Sequence, residues 1–146
     1  KSIKKNKTKI NQSTKVFQAL RIFVNKEISE LISGLINAFN ILPIGGAIAV
    51  VTFHSIEDKI VKYFFKHYSE DKNYSRYLPS PAKATKYFDL QLKKPIVPSK
   101  NEIFLNPQSR SAKLRYAIKI KHNCDFLDFK KKFEYLLNIE NLCREI

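Results

Sequence analysis

The sequence is poor in cysteine and in negative charge, and both shortages exclude classes of protein. Its two cysteines, Cys124 and Cys143, have neither the spacing of zinc ligands nor the density of a disulfide framework, which indicates a reducing, cytoplasmic setting. The chain has only 13 acidic residues and 27 basic ones, so its formal net charge is +14. Such a surface attracts polyanions, either nucleic acid or an anionic membrane.

Charge of either sign is absent from residues 31–53, which at first suggests a membrane span. Asparagine, proline and glycine interrupt the run, so we expect no membrane helix, and the N-terminus has no signal-peptide pattern. The 44% hydrophobic content can build the core of one domain. The first 15 residues carry six lysines and no acid, which is typical of a mobile basic arm or a solvated linker.

Apolar residues recur at steps of three and four from Thr14 to Leu42 and predict one long helix. Its polar side either lines a cleft or is an ordinary solvated face. The apolar stripe is Phe17, Leu20, Val24, Ile28, Leu31, Leu35, Phe39 and Leu42, and the polar side is Thr14, Gln18, Arg21 and Asn25.

A turn, a strand and a second helix follow the long helix. Pro43 stops the helix, and the apolar run 47–53 predicts a strand buried on both faces. Ser55 and Asp58 fit a capping box that starts the next helix. Helix, turn and buried strand form half of an α/β repeat.

The second half of the chain predicts smaller elements. Residues 86–92 and 113–120 alternate as strands and suggest an antiparallel hairpin. Ser99 can cap a short helix between them, and residues 125–146 have the period of an amphipathic helix.

Polar residues at the end of the buried strand are candidates for a site, because ligands of open α/β sheets bind at the carboxyl ends of strands. His54 can orient a substrate base, or it can be a structural histidine. Ser55 can offer its hydroxyl, although capping explains Ser55, Glu57 and Asp58 equally well. A metal site of His54, Glu57 and Asp58 has little support, since no spaced histidine pair accompanies it. The turn-rich, basic segment 106–115 suits phosphate contacts or a solvated turn.

Five segments in order resemble the RsmH/MraW family, the bacterial ribosomal RNA cytosine-N(4)-methyltransferases. They cover the region from about residue 13 to 120 in the order of that family's C-terminal portion. The segments are 16–27 (VFQALRIFVNKE), Gly45-Gly46, 51–62 (VTFHSIEDKIVK), 93–96 (KKPI) and 106–115 (NPQSRSAKLR).

The resemblance implies the C-terminal half of a class I (Rossmann-like) S-adenosylmethionine-dependent methyltransferase, an α/β fold whose mainly parallel sheet is closed by an antiparallel hairpin. Residues 1–13 would be a basic segment leaving an inserted helical domain. Residues 14–121 would be the C-terminal part of the methyltransferase domain, and 122–146 a helical tail outside the family match.

The activity it implies is transfer of a methyl group from S-adenosylmethionine to the exocyclic amine of a cytidine in 16S ribosomal RNA, with that RNA or the small ribosomal subunit as partner. The enzyme then mainly positions its two reactants. We expect His54 and Ser55 to be the catalytic residues, at the substrate end of the cleft. The candidates for binding RNA or for holding the site together are Arg21, Asn25, Lys94, Arg110, Lys113 and Arg115.

The sequence also departs from the family pattern. The family's glycine-rich cofactor loop and its acidic-glycine-serine motif have no counterpart, so we expect this chain to lack most of a cofactor site and to be inactive alone. Asn11-Gln12-Ser13-Thr14-Lys15 stands where the family has His-Pro-Ala-Thr-Arg, and Ile44-Gly45-Gly46 replaces Pro-Gly-Gly.

Two other functions remain open at this point. Charge and aromatic content suit a non-enzymatic RNA-binding module equally well. A metal-dependent nuclease using His54 and Asp58 would have an incomplete ligand set. The oligomeric state is not indicated.

Overall fold

A computed structural model describes residues 12–70 and 86–141, and the side chains from Ser13 onward. The basic segment 1–13 therefore lies almost wholly outside the described residues. The helices are α1 (Gln12–Asn25), α2 (Glu27–Ile41), α3 (Ser55–Ser69), α4 (Lys100–Leu105) and α5 (Leu127–Asn141). The strands are β1 (Ala47–Thr52), β2 (Phe88–Asp89) and β3 (Lys113–Lys119), and a 3-10 helix spans Pro107–Ser111.

The three strands form a sheet in the order β1-β3-β2, and both pairings are antiparallel. In β1, Ala47 lies opposite Ile118 and Thr52 lies opposite Lys113. The expected antiparallel pairing of residues 86–92 with 113–120 is present, but it is shortened to Phe88–Asp89 and continued by a single bridge between Ile96 and Leu114. The described residues thus contain an α/β fold without the parallel strand pairs that the resemblance implies.

The prediction of one helix from Thr14 to Leu42 is wrong, because the helix is interrupted at Lys26. This residue has φ 52° and ψ 38°, a left-handed conformation that a lysine adopts only at an energetic cost. It separates two helices that bury very different surfaces. Phe17 and Val24 of α1 are 71% and 73% exposed. The stripe of α2 is buried and consists of Ile28, Ile32, Leu35 and Phe39.

Aromatic side chains of α2, α3, β2 and α5 build the core. The ring of Phe64 in α3 lies 5.5 Å from that of Phe88 and 4.9 Å from that of Phe129. Phe39 packs edge-on against Phe126 at 5.2 Å. The predicted C-terminal amphipathic helix is therefore confirmed, and it closes the core over α2 and α3.

The sheet has one covered and one open face. Ile48 and Thr52 of β1 are buried beneath the helices, whereas Val51 is 54% exposed, so the prediction that this strand is buried on both faces is wrong for the described residues. On the covered face of β3, Lys119 is buried, and its Nζ donates to the carbonyls of Phe39 and Leu42, each at 2.7 Å. A cation thus stabilises the C-terminal end of α2.

No described helix combines the length and the apolar character needed to cross a bilayer.

Candidate functional site

The junction of β1 and α3 is the predicted strand-to-helix turn, but its capping differs from the prediction. His54, not Ser55, is the N-cap: its Nδ1 accepts from the backbone N–H of Glu57 at 3.3 Å. Glu57 Oε2 in return accepts from the backbone N–H groups of Phe53 at 2.9 Å and His54 at 3.3 Å. Ser55 is the first residue of α3 and is exposed, so its hydroxyl is not the cap.

Glu27, the first residue of α2, contacts side chains from two other parts of the chain, α1 and the junction of β1 and α3. Its carboxylate accepts from Arg21 Nε at 2.7 Å, Arg21 Nη2 at 3.1 Å and Asn25 Nδ2 at 3.4 Å. Its Oε2 also lies 3.8 Å from His54 Nε2. We call Arg21, Asn25, Glu27, His54 and Glu57 the Glu27 cluster. It joins the polar side of α1 to the carboxyl end of β1.

The imidazole of His54 is enclosed by this cluster, with 8% of its side chain exposed. Nε2 lies 3.1 Å from Glu57 Oε1, yet it is buried without a hydrogen bond of good geometry. Because Nδ1 accepts a backbone N–H, Nε2 carries the proton of the neutral ring. His54 thus presents a donor to two carboxylates.

Charge pairing dominates the electrostatics of the Glu27 cluster. Burial alone would raise the pKa of Glu27, but the hydrogen bonds from Arg21 and Asn25, together with the charge of Arg21, lower it below the ordinary value. The hydrogen bond to Glu27 and its charge raise the pKa of Arg21. Both partners are therefore ionised at neutral pH.

Asp58 forms a second cluster, which holds α3 against the sheet. Its Oδ1 accepts from Arg115 Nε at 2.8 Å, and its Oδ2 accepts from Lys113 Nζ at 3.1 Å. Burial would raise the pKa of Asp58, but the hydrogen bonds and charges of these two cations outweigh it and lower that pKa. We call Asp58, Lys113 and Arg115 the Asp58 cluster.

These contacts weigh against a metal centre. Asp58 is engaged by two cations, so the set of His54, Glu57 and Asp58 considered from the sequence does not assemble. Among the described residues, ligand atoms of Glu27, His54 and Glu57 do lie within 4.8 Å of one another. A metal bound to His54 Nε2 would require the ring proton on Nδ1, but Nδ1 already accepts the backbone N–H of Glu57. The carboxylate of Glu27 is already paired with Arg21.

The remaining predicted RNA contacts lie outside both clusters. Lys94 and Arg110 are exposed. Arg110 belongs to the 3-10 helix that leads into β3, where the hydroxyl of buried Ser109 donates to the carbonyl of Asn106 at 2.8 Å. Both cations are thus presented on a surface without being part of the enclosed site.

Glu27 is the residue of this site that sequence reasoning missed. In a continuous helix, the side chains at positions 21 and 27 would point about 120° apart, since each residue advances by about 100°. Only the left-handed Lys26 brings them together, and a lysine gives no signal for that conformation.

The chain belongs to the MraW methylase family, whose model matches residues 1–120. It is 45% identical over 127 residues to the ribosomal RNA small subunit methyltransferase H of Bartonella henselae, covering 87% of this chain and 37% of that protein. The proteins of the same name from Chelativorans sp. and Rhodopseudomonas palustris are 47% and 49% identical, over 84% and 74% of this chain. The chain thus spans about a third of these relatives, 36% and 32% of the latter two.

Proposed function

We propose that this chain is the C-terminal part of a methyltransferase that transfers a methyl group from S-adenosylmethionine to the exocyclic amine of a cytidine in 16S ribosomal RNA. The observation that carries the proposal is the Glu27 cluster, which stands at the carboxyl end of β1 in a chain of the MraW methylase family. This is where α/β folds bind their ligands.

The fold would be completed by the rest of a longer protein. Among the described residues, β1 has one neighbouring strand, β3, so its other edge can pair with a further strand. Val51 and Phe53 are 54% and 56% exposed, and such apolar surface beside an unpaired edge needs cover. Parallel strands added at this edge would give the mainly parallel sheet of a class I methyltransferase.

Each predicted residue then has a role in this proposal. Arg21 and Asn25 are exposed at the rim of the Glu27 cluster and would contact RNA. His54 would act as a positioning residue that holds the carboxylates of Glu27 and Glu57, because its Nε2 is enclosed between them. The exposed hydroxyl of Ser55 would face the substrate.

The basic residues around β3 would divide between two tasks. Lys113 and Arg115 hold α3 to the sheet through Asp58. Exposed Lys94 and Arg110 would meet phosphates, and such contacts add affinity without base selectivity.

The described residues do not form a cradle for S-adenosylmethionine, which would supply the methyl group. A cofactor-approaching turn needs clustered glycines at the carboxyl end of a strand. The glycine pair of this chain lies at the opposite end of β1, where the N–H of Gly45 donates to the carbonyl of Lys119 at 2.8 Å. The contribution of this chain would be to bind and orient the RNA, which is the main task when an amine attacks a methyl group in line.

A comparison of His54→Asn with His54→Ala tests the proposal, in a longer protein that contains this chain. Asparagine is a good N-cap, so His54→Asn keeps the cap of α3 while it removes Nε2 from the two carboxylates. We expect His54→Asn to slow single-turnover methylation of a 16S RNA fragment by about tenfold to a hundredfold per folded molecule, with little change in Tm.

His54→Ala is the matched variant, which also loses the cap and should lower the free energy of unfolding by about 1 kcal/mol. A His54→Asn protein that methylates within about twofold of the parent would assign His54 to the scaffold. Salt-sensitive RNA binding without any methyl transfer by the parent would favour the non-enzymatic RNA-binding module instead.

A further inference from the structure

Glu140 is a buried carboxylate in α5, beyond the residues that match the family. It is 3% exposed and lies against the first turn of α2. Its Oε1 accepts from the backbone N–H of Ile28 at 3.0 Å, and its Oε2 accepts from the backbone N–H of Ser29 at 2.9 Å and from the Ser29 hydroxyl at 2.5 Å. A residue more than a hundred positions away in sequence thus supplies the acceptors for this turn.

The first turn of α2 needs such an acceptor. The first N–H groups of any helix have no partner within the helix. Lys26, which precedes α2, has no side-chain cap hydrogen bond, unlike His54 before α3. A negative charge at this end also interacts favourably with the helix dipole. Glu140 therefore substitutes for a local N-cap.

The same turn carries the central acid of the candidate site. Glu27 immediately precedes Ile28 and Ser29, so the three residues share one helical turn. Its carboxylate accepts from Arg21 at 2.7 Å and approaches His54 at 3.8 Å, and both contacts depend on where that turn begins.

We propose that Glu140 is a positioning residue of the candidate site: it holds the first turn of α2 so that Glu27 meets Arg21 and His54. The terminal helix outside the family match would thereby be part of the machinery that orients the RNA-facing residues. The geometric part of this inference is independent of the proposed function, and only its effect on methyl transfer rests on it.

Glu140→Gln tests the geometric part in the 146-residue chain, with Glu134→Gln as the matched control. Glu134 lies on the same helix and is exposed. Glutamine keeps the size of the side chain but removes the charge and replaces one acceptor oxygen with a donor. By NMR hydrogen exchange we expect the amides of Ile28 and Ser29 to exchange at least about tenfold faster, the loss of roughly one hydrogen bond to a charged group.

The decisive signal is the Nε–H of Arg21, which donates to Glu27 and does not touch Glu140. We expect its exchange to accelerate in Glu140→Gln and to stay unchanged in Glu134→Gln. Faster exchange at Ile28 and Ser29 with an unchanged Arg21 Nε–H would reduce Glu140 to a helix cap and overturn the proposal. If Glu140→Gln fails to fold, Ser29→Ala is used instead, because it removes only the hydroxyl contact. The exchange rates of the backbone amides and of the Arg21 Nε–H are then compared in the same way, and we expect smaller accelerations.

Methyl transfer is measured separately in the longer protein. We expect Glu140→Gln to reduce kcat/KM for the RNA substrate by about fivefold to tenfold per folded molecule, while Glu134→Gln matches the parent. An active parent whose Glu140→Gln variant is equally active would overturn the positioning role. An inactive parent would contradict the proposed function and leave the NMR result to decide the geometry.

Discussion

The Glu27 and Asp58 clusters are built from the same chemistry but differ in their surroundings. In each, one carboxylate accepts hydrogen bonds from two side chains, and its pKa is lowered. The guanidinium-bearing side chain of Arg115 beside Asp58 is 10% exposed, whereas that of Arg21 beside Glu27 is 57% exposed. Arg115 projects from a central strand, whereas Arg21 projects from a helix whose apolar stripe is largely exposed.

This difference in exposure indicates that the Asp58 cluster belongs to the scaffold and the Glu27 cluster to the candidate site. Removing one partner of a buried ion pair leaves the other charge without compensation and is strongly destabilising. An exposed pair is screened by water and contributes little. The Asp58 cluster therefore secures α3 to the sheet. In the Glu27 cluster, the carboxylate of Glu27 faces His54, and Arg21 is accessible at the rim.

The largest expected effect is the loss of the Asp58 carboxylate. We expect Asp58→Asn to lower the free energy of unfolding by about 3 kcal/mol, because Arg115 and Lys113 would keep their charges without a counterion. Glu27→Gln should cost less than about 1 kcal/mol, since Arg21 can turn to water. Urea unfolding of both variants measures the difference, and equal losses would remove the distinction between the two clusters.

Lowering the pH should gradually remove the stabilisation that the Asp58 cluster provides. The folded-state pKa of Asp58 is depressed below its unfolded value of about 3.9, so its contribution is fully present above about pH 5 and is lost as the pH falls through the folded pKa. The difference in unfolding free energy between the parent and Asp58→Asn should therefore shrink as the pH is lowered from 5 to 2. A difference that stays constant over this range would show that Asp58 does not titrate as the ion pair requires.

The smallest expected effect concerns the start of α3, where the Glu27 cluster meets the helix. Ser55 is exposed and is not the N-cap, so Ser55→Ala should change the free energy of unfolding by less than about 0.5 kcal/mol. A loss of about 1 kcal/mol would instead assign the cap to Ser55, as the Ser55–Asp58 pattern predicts. Thermal unfolding at one pH distinguishes the two outcomes.

The helices and strands that the structure confirms were indicated by patterns of residues close together in the sequence. Periodicity predicted α3 and α5, and Ser99 indeed caps α4 by accepting from the backbone N–H of Glu102 at 3.1 Å. The strand-to-helix junction that holds His54 was also predicted. The prediction was wrong where two local patterns competed, as in the choice between Ser55 and His54 as the cap.

The sequence by itself determined which stretches become helix or strand, where the polar residues of the site lie along the chain, and that the surface is cationic, because periodicity, capping and charge depend on residues a few positions apart. Only the tertiary structure decided where α2 begins and ends. Its N-terminal turn is held by Glu140, 112 positions from Ile28, and its C-terminal carbonyls by Lys119, 80 positions from Phe39. Lys26 has a left-handed conformation that costs energy, and the hydrogen bonds that these distant, oppositely charged side chains make at the two ends of α2 stabilise the helix that follows it.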